Sequence, residues 1–174
     1  MEIPYNAYRK LNDEQQEHFF AAIRHELLNS GAVEGLTMGG DQIINVGNFS
    51  SGNVDWDGHD TAFQATVSPY SADADFQKVF QLQMKEGRWF HEGKEDEHNY
   101  ILNESALRMF NMHTPVIGQR FTMGGDTGKV VGIVKDFHYQ SMHEKIGALV
   151  MKYNNGYDSY IFLKAAAVIL PVLS

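Results

Sequence analysis

Gly128 to Leu149, GKVVGIVKDFHYQSMHEKIGAL, is the stretch on which the reading of this chain turns. Val130, Val131, Ile133 and Val134 form a β-branched run opened by a glycine-rich turn, the pattern of a strand covered on both faces. Lys135, Asp136, Phe137 and His138 then break the apolar run. A buried strand therefore delivers the chain into a polar, histidine-bearing segment.

Working outward, Phe121–Met123 and Lys129–Lys135 flank a Gly-Gly-Asp-Thr-Gly turn and predict a hairpin. Ala148–Tyr153 and Tyr157–Lys164 flank Asn154-Asn155-Gly156 and predict a second one. Asn103 caps a short helix running to Asn111, with Ala106, Leu107 and Phe110 on one side. Asp75–Gln83 fits another short helix that Gly87 ends, and Glu92–His98, EGKEDEH, reads as a solvated acidic connector. Nearer the N-terminus, Asn12 and Gln15 form a capping box for an amphipathic helix over Asp13–Ser30, closed by Gly31. Val33–Met38 is the strand after it. Val54 to Gly58 ends in an Asp-Gly turn, and Thr61–Val67 alternates as its returning strand. Few helices and many short strands make the class α+β. Thr37–Asp41 recurs as Thr122–Asp126, TMGGD, but the flanks differ, so both read as strand exits reusing one turn chemistry.

The chain has 22 acidic and 14 basic residues, a net charge of -8, and no basic cluster, which argues against nucleic acid as a partner. With no cysteine it has no disulfide, thiolate metal site or cysteine nucleophile. Met1 does not open a signal-peptide pattern, and no run reaches the roughly 18 apolar residues of a membrane span. Ala165–Ser174, AAAVILPVLS, is apolar but short and holds Pro171; it reads as a strand, a non-native tail or the leading edge of a membrane helix.

Enzymatic readings find little support in the residue patterns. Gly124-Gly125-Asp126-Thr127-Gly128-Lys129 fails as a phosphate loop, because Met123 stands where the first glycine belongs and Val130 where the magnesium-binding hydroxyl belongs. His138, His143 and Glu144 suggest a zinc site only by proximity, since HExxH is absent. Glu86, Asp136 and Glu144 have no spacing that pairs carboxylates, and Ser68 and Ser141 lack a nucleophile elbow. Trp56, Phe49, Trp89, Phe90 and Tyr139 suit either a partner surface or aromatic core packing.

Gly132, Val134, Lys135, Asp136, Phe137 and His138, followed by Ser141, Met142, His143, Glu144 and Ile146, resemble the phrases GVVKDFHF and SLHEPI of the MacB-like periplasmic core domain of FtsX-type ABC transporter permeases. Val67-Ser68-Pro69, Asp75-Phe76, Phe80, Glu86-Gly87-Arg88, Phe90, Asn103–Ala106 and Ile117–Phe121 follow that family's pattern in order. The resemblance implies a two-lobe core. A membrane-proximal βαβ-type (porter-like) lobe would take residues 1–94 plus 156–174, and an inserted mainly-β lobe would take 95–155. It further implies a non-catalytic extracytoplasmic module at the inner membrane, on the periplasmic side, with no cofactor and no metal. Its expected partners are its own transmembrane helices outside this stretch, a separate ABC ATPase, and a periplasmic adaptor or exported substrate, with a dimer in the full transporter. Candidate partner or lobe-interface residues are Trp56, Trp89, Lys135, Asp136, Phe137, His138, His143 and Glu144. The alternatives are a secreted binding module, which exposed aromatics would serve, and a histidine-dependent soluble hydrolase built on His138 and His143.

Overall fold

The computed structural model describes residues 12–40, 49–50, 54–60, 62–139, 145–153 and 160–166. Their elements, in chain order, are α1 (Asp13–Asn29), β1 (Val33–Gly39), β2 (Phe49–Ser50), β3 (Val54–Trp56), β4 (Thr66–Ala72), α2 (Phe76–Phe80), β5 (Met84–Gly87), a 3-10 turn (Lys94–Asp96), β6 (Tyr100–Asn103), α3 (Glu104–Phe110), β7 (Arg120–Met123), β8 (Asp126–Val134), β9 (Ala148–Tyr153) and β10 (Tyr160–Ala165). The strands form one 10-stranded sheet of order β10-β1-β4-β9-β6-β8-β7-β3, with β2 on β4 and β5 on β8.

β8, the strand of the opening stretch, is the spine. Its first half pairs antiparallel with β7 (Arg120 with Lys129, Met123 with Asp126), and its second half lies between β5 and the parallel β6. The β7–β8 hairpin is the predicted one, tightened: Gly124 and Gly125 alone make the turn, at φ 63° and 86°. Two positive φ values define the turn whose twist matches antiparallel strands, and glycine takes them without steric penalty.

Alternation along β6 and β9, with a register shift between Val130 and Gly132 of β8, divides the core in two. Tyr100 and Leu102 of β6, Val130 and Ile133 of β8, and Ala148 and Val150 of β9 join Trp56, Phe110 and Phe121 in one cluster, which α3 caps. Ile101, Val134, Leu149 and Met151 join Tyr70, Phe76, Trp89, Phe90 and Tyr139 in the other, with α2 over them. Both faces of β6, of the second half of β8 and of most of β9 are thus buried, as continuous apolar runs require.

Two expected pairings and two expected boundaries are corrected. Ala148–Tyr153 does not form a hairpin with the strand after it: β9 has parallel β4 on one edge and antiparallel β6 on the other, while β10 pairs with β1. Burying Leu149 and Met151 on one face and Val150 on the other demands central neighbours, and this outweighs the local turn signal of Asn154-Asn155-Gly156, which lies outside the described residues. Val54–Trp56 pairs with β7 rather than with the strand after it, and that next strand runs over Thr66–Ala72 instead of Thr61–Val67. The helix after Asp75 stops at Phe80, where Gln81 takes the left-handed cap at φ 55°, so Gly87 closes strand β5 and not a helix.

The acidic connector is not wholly solvated. Asp96 is fully buried; its carboxylate accepts Arg88 Nη1 and Nη2 at 2.7 and 2.9 Å, the His91 N–H at 2.8 Å and Asn99 Nδ2 at 2.8 Å. Burial alone would raise its pKa, but these donors outweigh it and hold the group down at about 2. Asp55, Glu104 and Asp126 are lowered as well, by hydrogen bonds from Arg120, Lys85 and Lys152 respectively. A depressed carboxylate contributes stability above its unfolded pKa, and that contribution disappears as pH falls through the folded value. Asp96 alone is expected to withdraw about 2 kcal/mol between pH 5 and pH 2. Urea unfolding across that range should show a shallower acid decline for Asp96→Asn than for the wild type; equal declines would remove Asp96 from this role.

Candidate functional site

The segment leaving β8 was the sequence's strongest candidate, and its local structure is a bracket. Lys135 donates its N–H to Gln83 O at 2.8 Å and its Nζ to Gln83 Oε1 at 3.0 Å, tying the end of β8 to the approach of β5. Asp136 sits against the start of α3: Oδ1 accepts the Ser105 N–H at 2.9 Å, and Oδ2 accepts Arg108 Nη2 at 2.6 Å and lies 2.9 Å from Ser105 Oγ. A carboxylate over the first free N–H groups of a helix is favourable by charge and by hydrogen bonding. The Asp136 N–H in turn donates to Glu104 Oε2 at 3.3 Å, and Lys85 Nζ donates to Glu104 Oε1 at 2.8 Å.

Asn103 completes the bracket from within. Fully buried, it accepts the Ala106 N–H at 2.8 Å as the α3 cap and also the Leu149 N–H at 2.9 Å, while its Nδ2 donates to Gly147 O at 2.9 Å. One side chain therefore joins β6, α3 and the entry to β9. Phe137 is half-buried against the second core cluster and meets Tyr139 edge-on at 5.9 Å, and His138 is exposed. Burial raises the Tyr139 phenol above its ordinary pKa.

The candidate residues do not gather into one surface. Lys135, Asp136, Phe137 and His138 are consecutive at the bracket, and His143 and Glu144 lie outside the described residues. Trp56 is 3% exposed in the first cluster, where it stacks on His59 at 4.0 Å and meets Phe110 in a tilted contact at 4.5 Å. Trp89 is 7% exposed in the second cluster, and its Nε1 donates to Asp73 O at 3.0 Å. Both indoles are core residues, on opposite sides of the sheet. Among the described residues no three or more His, Asp or Glu side chains converge as metal ligands. Asp136 and Glu104 are committed to N–H donors and cations, an arrangement that fixes backbone segments relative to one another. Sequence reasoning missed Ser105, Arg108 and the reach of Asn103 to β9; the only available signal was the phrase Asn103-Glu104-Ser105-Ala106 recurring in order with Lys135-Asp136-Phe137.

The mixed sheet with buried central strands and few helices is a fold shared with solved structures. The periplasmic region of MacB from Actinobacillus actinomycetemcomitans superposes with a TM-score of 0.57 at 16% identity, covering 87% of this chain and 66% of that one. The extracellular domain of the noncanonic ABC-type transporter YknZ from Gram-positive bacteria gives a TM-score of 0.55 at 14% identity, covering 82% of this chain and 71% of that one. This chain thus spans just under two thirds of the MacB periplasmic region. No curated protein matches it at a significant level. The model of the MacB-like periplasmic core domain matches residues 19–169, and the chain belongs to that family. No helix among the described residues is long and apolar enough to cross a membrane.

Proposed function

We propose that this chain is the non-catalytic extracytoplasmic module of an ABC transporter permease, held on the periplasmic side of the inner membrane, which couples ATP-driven movements of the membrane helices to a periplasmic adaptor or exported substrate. The family match over residues 19–169 carries this reading. A coupling module must transmit displacement without dissipating it, and β8 suits that requirement: one nine-residue strand pairs with β7 at one end and with β5 and β6 at the other. In this reading Lys135 ties the β5 approach to that strand, Asp136 holds α3 to it and Asn103 joins α3 to the β9 entry, so the sheet moves as one rigid body.

This stretch contains no cysteine, so labelling can be directed to one added residue once any cysteines elsewhere in the full-length protein are replaced. In the full-length protein, a single cysteine at exposed Glu95 should react with a membrane-impermeant maleimide in intact spheroplasts, and affinity purification should bring down an ABC ATPase. Labelling only after lysis would refute the periplasmic placement. Labelling without any ATPase would leave the secreted binding module as the better reading.

A further inference from the structure

We infer that α1 is a lever, hinged at Gly31 and latched to the body by Arg24, which swings away from the sheet while the rest of the fold stays intact. Three independent features point to it. First, none of the described side chains of α1 is buried; Phe20, Ile23, Arg24 and Leu27 are half-buried, whereas Phe19 and Leu28 are each 37% exposed. Helices in proteins are held mainly by packing of an apolar face, so this one is held weakly. Second, clefts of about 310 and 540 Å³ open beside the helix, and both are lined by Arg24 and Leu28. Arg24 pairs with Asp75, just before α2, and its other nitrogen stands 3.7 Å from the exposed Glu92. Third, the helix ends in a joint suited to bending. Ser30 closes the last turn on Glu26 O and Leu27 O, and Gly31 follows at φ 71° with nothing within 4 Å of where a Cβ would lie. Glycine takes φ values on both sides of zero, and the Ala32 N–H to Ser30 Oγ bond of 3.2 Å is what bending there would break.

The latch is one ion pair between partly buried groups, of the kind measured at up to about 1 kcal/mol, so its loss should raise the open population roughly three- to fivefold. The lever is a property of the folded chain, and its test is independent of any transport assay. Hydrogen exchange of the whole chain should show the Phe20–Leu27 amides exchanging at least about tenfold faster than those of β6, β8 and β9, as expected of a sub-global opening. Arg24→Ala should accelerate the α1 amides three- to fivefold and leave the β6 amides unchanged. Asp75→Asn should do the same with no additional effect in the double variant, and Glu92→Gln should do nothing. If α1 and β6 amides exchange at one common rate, or if Arg24→Ala speeds both equally, α1 opens only with global unfolding and there is no lever.

Discussion

Gly128→Ala is expected to abolish the native fold at ordinary temperature, although it adds one methyl group. A Cβ at this position would stand 1.6 Å from His98 O and 2.5 Å from its carbonyl carbon, and both are backbone atoms. Gly132 is confined in the same way, 2.2 Å from Arg88 O. Side chains can rotate out of a clash, but the 98–99 segment is tied in place by the Asn99 N–H to Asp96 O and by Lys129 N–H to Asn99 Oδ1. Relief therefore requires β8 to part from β7, where Gly128 faces Phe121, or the 98–99 segment to break these ties. Overpacking a yielding core costs about 1–3 kcal/mol, and a clash between two fixed backbones exceeds this. That is a large share of the roughly 5–15 kcal/mol by which a domain is stable. The control is Gly118→Ala, at φ 89° with open space around it, where only backbone strain of about 1 kcal/mol applies. Thermal melts followed by circular dichroism should give a cooperative transition for Gly118→Ala and none for Gly128→Ala or Gly132→Val. A normal melt for Gly128→Ala would mean that the strand and the 98–99 segment are not packed as described.

The elements legible in the sequence were those whose signal is local. The Asn12–Gln15 capping box forms as expected, with hydrogen bonds of 2.9 and 3.0 Å, because both partners lie within one helical turn. The Gly124-Gly125 turn and the Asn103 cap are legible for the same reason. Of Val130, Val131, Ile133 and Val134, read as a strand covered on both faces, Val131 is half-buried and the other three are fully buried. What was not legible depends on residues distant in sequence. Periodicity makes Ala148–Tyr153 a strand, but it contains nothing that distinguishes a hairpin partner from β4, some eighty positions earlier. Asp96 looked solvated because its neighbours are acidic, whereas its environment is set by Arg88, which arrives from the end of β5. The bracket was visible as a phrase and invisible as a geometry: Asp136 is followed by histidine and aromatic residues, yet its partners are on α3, about thirty residues upstream.

The bracket makes Asn103 the polar side chain whose loss should do most damage, and the reason is its number of partners. A helix cap exposed to solvent costs about 1 kcal/mol when truncated, since water replaces the lost acceptor. Asn103 has no exposed surface, so Asn103→Ala leaves the Ala106 N–H, the Leu149 N–H and Gly147 O to find other partners within the core. Each buried group left unsatisfied costs about 1–3 kcal/mol, and partial relaxation brings the expected total to about 3–5 kcal/mol. Asn103→Asp is the informative companion. It preserves both accepted bonds but loses the donor to Gly147 O and places a carboxylate beside that carbonyl, so it should recover only part of the loss at neutral pH. Asp136→Ala should cost less, about 1–2 kcal/mol, because the groups that it releases are only partly buried and water reaches them. Urea unfolding gives the three values, and exchange of the Leu149 amide separates the contributions: it should accelerate beyond the global rate in Asn103→Ala and not in Asp136→Ala. A loss near 1 kcal/mol for Asn103→Ala, with Leu149 still protected, would reduce Asn103 to an ordinary cap and leave β9 held by its strand neighbours alone.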